Sequence, residues 1–110
     1  MMITAENTLL PGLERIRLRF LDMLVDRLSE LEALCGDMAE DMSQDSALHQ
    51  SQCILHKIAG SAGTLGLEDL GEAARTCEYQ IIEYRNTGTP GLVEIYHSLG
   101  NFAEKAENLL

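Results

Sequence analysis

An all-α fold, an antiparallel up-down four-helix bundle, is predicted by three observations. Apolar residues recur three and four apart in four successive segments. No segment alternates with the period of a strand, and neither Asn-Gly nor Asp-Gly marks a hairpin. The composition is rich in Leu, Ile, Met and Ala, with no Trp and 5% aromatic residues, which suits packed helices better than sheets. Short connections between the four segments make neighbouring helices antiparallel. At 110 residues the chain suits a single domain over 1–110, with no repeat or linker to divide it.

The first helix opens at Pro11, which suits a first helical position because its missing N–H would be unpaired there anyway. Its stripe is Leu13, Ile16, Phe20, Leu24, Leu28, Leu31, Cys35 and Met38, and Gly36 places its end between there and Met42. Residues 1–10 allow a further short helix. The second stripe is Leu48, Ser51, Leu55, Ile58, Ala62 and Leu65, with Ser43 or Asp45 as the cap. Gly66 directly follows and reads as a left-handed stop. The third stripe is Leu67, Leu70, Ala74, Cys77, Ile81 and Tyr84. Glu68 and Asp69 suit the positive end of its dipole, and Asn86-Thr87-Gly88 ends it. Thr89-Pro90 reads as the cap and first turn of the last helix, whose stripe is Leu92, Ile95, Leu99, Phe102 and Ala106.

Charge excludes several functions. A net charge of −10 disfavours nonspecific binding to nucleic acid or to an anionic membrane. No stretch is apolar enough to span a bilayer, and the first residues lack the basic and apolar parts of a signal peptide. Cys35, Cys53 and Cys77 are an odd number on helices, without paired-ligand spacing. They read as reduced thiols in the cytoplasm that serve as small packing residues.

The stretch LHKIAGSAGTLGLEDL, residues 55–70, is unusual. At about 100° per residue, His56 lies roughly 130° from the apolar stripe and faces outward. Gly60 falls about 40° to one side of it and Gly63 about 20° to the other. Each costs a helix interior about 1 kcal/mol relative to Ala, and the stripe needs neither. Their benefit is access: a second surface can approach the imidazole. The alternative is an interhelical loop over Gly60-Ser61-Ala62-Gly63, against which Ala62 and Leu65 continue the stripe in phase. A phosphate cradle fits poorly, since no strand precedes the glycines and no Gly-Lys-Ser/Thr ends them.

Imidazole is a nucleophile near neutral pH, its reference pKa being about 6.5. A convex helix face offers neither a concave pocket nor an orienting partner group. It suits a reaction whose other components arrive on a second protein, as phosphoryl transfer does.

His56 through Leu67, followed by Leu70 and by Cys77-Glu78, resembles the histidine-containing phosphotransfer (HPt) domain. The pattern of that family is a His, often Lys three on, Gly four on, small residues, and Gly ten on; His56, Gly60 and Gly66 match it. About thirty residues resemble it closely and the four-helix plan matches loosely. The resemblance implies a cytoplasmic, monomeric phosphorelay intermediate without kinase activity of its own. His56 would accept a phosphoryl group through Nε2 from a response-regulator receiver aspartate and pass it to another receiver. A hybrid histidine kinase is a further partner. No cofactor is implied on this chain; Mg²⁺ is expected on the receiver. Gly60 and Gly63 would keep the approach clear, and Gln52 and Cys53 would flank the docking surface.

One departure concerns charge. The family's lysine three residues on is Ala59 here, about 60° from His56, while Lys57 lies about 100° round on the other side. A long Lys57 side chain reaching over is one substitute; a solvated rim charge is the other reading. Two rival functions remain. One is a docking module for receivers that does not use its histidine. The other is a metal site from His49, Cys53 and His56, which share a face within about 60° but lack a ligand from a second element. His97, Tyr79 and Arg85 carry no readable signal. Met38 to Met42 reads as helix-end packing, and the acids from Asp37 to Asp45 as a solvated helix end. Paired Met1-Met2 fits a complete protein, although a module excised from a hybrid kinase would read the same.

Overall fold

A computed structural model describes residues 11–110. The short helix considered for residues 1–10 lies outside them. Four helices follow in order: α1 (Pro11–Met38), α2 (Gln44–Thr64), α3 (Glu68–Thr87) and α4 (Leu92–Leu109). Helices adjacent in sequence pack together, and a looser contact of α1 with α4 closes the ring. The core is the four stripes meeting: Phe20, Leu24 and Leu31 from α1, Leu48, Leu55 and Ile58 from α2, Leu70, Cys77 and Ile81 from α3, and Ile95, Leu99 and Phe102 from α4. Among the described residues no helix is long and apolar enough to cross a membrane.

Helix ends differ from expectation where side chains find better partners. α1 begins at Pro11 as expected and runs through Gly36 to Met38, whose side chain is fully buried and anchors the last turn. Ser43 sits at the N-cap of α2 but makes no capping bond there. Its hydroxyl turns back and donates to the Asp37 carbonyl at 3.2 Å, while Gln44 Nε2 donates to the Met38 carbonyl at 2.9 Å. Both bonds serve the end of α1: the Asp37 carbonyl also accepts from the Glu40 N–H at 3.1 Å, and Gln44 provides the Met38 carbonyl with a side-chain donor. Asp45 does not cap either; it pairs with Arg85. The start of α4 is corrected similarly. Thr89 exchanges a hydroxyl bond with Thr87 at 2.9 Å, so it is not the cap, and Pro90 lies outside the helix. Gly91 takes the N-cap, where Glu94 Oε1 accepts its N–H at 2.8 Å.

Two members of the α1 stripe are not core. Leu13 is 39% exposed and Ile16 is 52% exposed. α1 has 28 residues against 21 in α2, which at 1.5 Å per residue makes it about 10 Å longer, and Ile16 only lines an open groove beside Gly60, Ser61, Thr64 and Leu65 at the end of α2. The cysteines also divide. Cys77 is buried and Cys35 half-buried, but Cys53 is exposed and is no packing residue. Met38 is core, while Met42 is fully exposed and packs against nothing.

Candidate functional site

The glycine-bearing stretch stays helical to Thr64, which sets aside the loop alternative. α2 then ends in a double hydrogen bond: Leu67 N–H donates to the Ala62 carbonyl at 2.8 Å, and Gly66 N–H to the Gly63 carbonyl at 3.2 Å. This closure requires a left-handed residue, and Gly66 supplies it at φ 77°. A reversal this tight lays α3 against α2. Gly71 of α3 makes the approach close, since a Cβ there would stand 3.5 Å from the Ala59 carbonyl oxygen and 3.6 Å from Ala62 Cβ.

That approach supplies what the sequence reading denied to His56, an orienting partner. Glu78 Oε2 lies 2.7 Å from His56 Nδ1. A carboxylate can only accept, so Nδ1 carries the proton and the lone pair is left on Nε2. The two side chains differ in exposure: that of His56 is 75% accessible and that of Glu78 only 11%. The anchor is buried in the seam and the imidazole it holds stands largely in solvent. No side chain overhangs the approach, because a Cβ built on Gly60 or Gly63 meets nothing within 4 Å.

A second polar cluster continues along the same seam. Arg85 Nε donates to Asp45 Oδ1 at 2.9 Å, and Nη1 donates to Gln52 Oε1 at 2.9 Å and to His49 Nδ1 at 3.0 Å. The Arg85 hydrogen bond holds the Asp45 carboxyl below its usual range. Since the guanidinium only donates, His49 accepts through Nδ1, and its Nε2 faces Cys53 Sγ at 3.8 Å. Gln52 is thus fixed one turn from His56, and Cys53 stands exposed beside it. In the suggested metal trio, His49 Nε2 stands 3.8 Å from Cys53 Sγ, while Nδ1 of His49 is bound to Arg85 and Nδ1 of His56 to Glu78. Among the described residues no group of three or more His, Cys, Asp and Glu could hold a metal ion.

Lys57 is exposed, whereas Ala59 is 4% exposed and packed toward α3. A lysine at 59 would have to emerge from a seam that alanine fills. Glu78 and Arg85 are the site residues the sequence reading missed. Glu78 had a legible signal: it is an acid four residues after Ala74, about 40° from a stripe position, where an unpartnered charge is costly. Arg85 had none, since its three partners lie 33 to 40 residues away.

Comparisons with curated proteins and with solved structures return no match. The family model of the Hpt domain matches residues 15–110, from the first turns of α1 to the end of the chain. Hpt domains serve phosphotransfer in two-component phosphorelays as phosphocarriers, interacting with receiver and histidine kinase domains. With nearly its whole length matched, and folded as the helical bundle that family requires, the chain belongs to the Hpt domain family.

Proposed function

We propose that His56 is the phosphoacceptor of a relay between two receiver domains, and that Nε2 is the reacting atom. The observation that carries this reading is the 2.7 Å contact between Nδ1 and Glu78, with the opposite edge of the ring open to solvent. The Nε2 lone pair attacks the phosphorus of a receiver aspartyl phosphate. The bond from phosphorus to the aspartate oxygen breaks, and its electron pair returns to the carboxylate. The ring becomes a phosphoimidazolium, whose Nδ1–H remains on Glu78, so the carboxylate stabilises the positive charge as it develops. Transfer onward reverses these steps onto a second aspartate.

The receiver supplies Mg²⁺ and the acid pocket; this chain supplies the nucleophile and a clear approach. Gly60 and Gly63 leave room for the receiver surface. Gln52, braced by Arg85, and Cys53 border the contact, and Lys57 adds a cation at its rim. The partners, receivers and a hybrid histidine kinase, place the reaction in the cytoplasm. No step requires a nucleotide bound to this chain, so the protein carries phosphate without kinase activity.

Labelled phosphoryl transfer from a phosphorylated receiver of the same organism tests this, with wild type and His56→Gln compared. Acid-labile, base-stable label on the wild type alone is the expected result. Receiver binding without label would replace the carrier with a docking module, a reading that the alanine at position 59 makes specific.

A further inference from the structure

Placing a phosphoryl group on His56 creates a charge problem. The group carries about −1.5 to −2 and would stand across the imidazole ring from the carboxylate of Glu78. The position where the family has its lysine is Ala59, buried at 4% exposure. Arg85 is already bound to Asp45, His49 and Gln52. Lys57 lies about 100° round the helix from His56.

The register of α3 on α2 provides another cation. Gly71 faces Ala59, Ala62 and Gly63, where its Cβ would come within 3.5 to 3.7 Å of them. Glu78, two turns on, meets His56 at 2.7 Å. Arg75 lies between these two contacts, about one turn from each. In rotation it is about 40° from Gly71 and about 60° from Glu78, on the side away from buried Ala74 and Cys77. It therefore rises on the outer lip of the seam, the lip on which His56 is exposed. Across from it is the bare turn at Gly63, while Gly60 lies on the other side of His56 and opens on a groove with Arg19, Phe20 and Met23 of α1. Arg75 is exposed and forms no ion pair among the described residues.

We propose that the Arg75 guanidinium contacts the phosphoryl group on His56 and supplies, from α3, the positive charge that position 59 lacks. This rests on His56 being the acceptor. An arginine suits the task because its planar fork matches phosphate oxygens. It comes from the opposite side to Lys57. The bare turn at Gly63 gives the guanidinium its path.

The test uses potassium phosphoramidate, a small donor that needs no docking surface. Labelling rates and the ³¹P resonance of the phosphohistidine are compared for wild type, R75A, R75Q, R75K and K57A, each shown to be folded by circular dichroism. Expected is a roughly fivefold slower labelling of R75A and R75Q, with R75K within about twofold of wild type, as an exposed charge contact implies. The resonance should shift in R75A and R75Q and return toward wild type in R75K. Labelling and resonance in R75A and R75Q equal to wild type would overturn the proposal. So would slow labelling in all three variants with an unmoved resonance, which would mark a structural role. Failure of folded wild type to label at His56 would remove the acceptor reading itself, and the Arg75 proposal with it.

Discussion

Replacing Glu78 tests how much its hydrogen bond to His56 contributes to transfer. A hydrogen bond to a charged partner contributes about 1.5–3 kcal/mol when shielded from water. Here the imidazole side is 75% accessible, so water replaces part of any lost bond. A discount for that leaves about 1–1.5 kcal/mol. At 1.36 kcal/mol per decade, Glu78→Ala should accept phosphate from a receiver roughly 5- to 12-fold more slowly. Glu78→Gln keeps an oxygen that can accept from Nδ1–H but loses the charge that stabilises the imidazolium. It should fall between, slowed roughly 2- to 4-fold. The assay is single-turnover transfer at saturating phosphoreceiver, so that the rate reports chemistry and not docking. Wild-type rates in both variants would refute the argument, as would equal slowing accompanied by loss of helical signal.

Other perturbations separate fold from access. Gly60→Ala meets nothing within 4 Å and should stabilise the domain by about 1 kcal/mol, read as a melting temperature higher by roughly 4–8 °C. Gly60→Leu should keep the fold and phosphoramidate labelling while slowing transfer from receivers, because a Cβ there meets nothing within 4 Å and the side chain would extend over open surface beside His56. Gly71→Leu is the opposite case: its side chain has Ala59 and Ala62 against it, so it should push α3 from α2 and cost about 1–3 kcal/mol in a urea melt, with loss of the His56–Glu78 contact. Burial pushes the Cys77 thiol up from its ordinary 9.0 to about 12. Above pH 9 the unfolded chain releases that proton while the folded one holds it, so stability should be unaffected below pH 9 and fall between 9 and 12. The fall is at most about 4 kcal/mol, three units at 1.36 each. Urea midpoints against pH should fall more steeply in the wild type than in Cys77→Ala, where the burial-raised Cys35 and Tyr96 still contribute.

Much of the bundle was legible because burial and period coincide. Leu55, Ile58 and Ala62 are spaced for one helix face, and that face is the one buried. The left-handed stop at Gly66 was legible for the same local reason, since only glycine adopts that conformation freely. Where tertiary partners compete for a side chain, local rules failed. Ser43 and Thr89 are good caps in isolation but found carbonyl or hydroxyl partners elsewhere. Leu13 and Ile16 follow the stripe, yet α1 is longer than the helix beside it. The outward direction of His56 could be read from angles alone. Its anchor could not, because the contact with Glu78 spans 22 residues and depends on how closely Gly71 lets α3 approach.

The central claim is that phosphate is carried on Nε2 of His56 while Glu78 holds Nδ1. Nitrogen–phosphorus coupling in ¹⁵N-labelled, phosphorylated protein tests it most directly. A single coupled nitrogen, assigned to Nε2 of His56, is the predicted result. Phosphorus bonded to Nδ1, or to His49 or His97, would contradict it, for the first requires Glu78 to be displaced and the others lie away from the glycine-cleared approach.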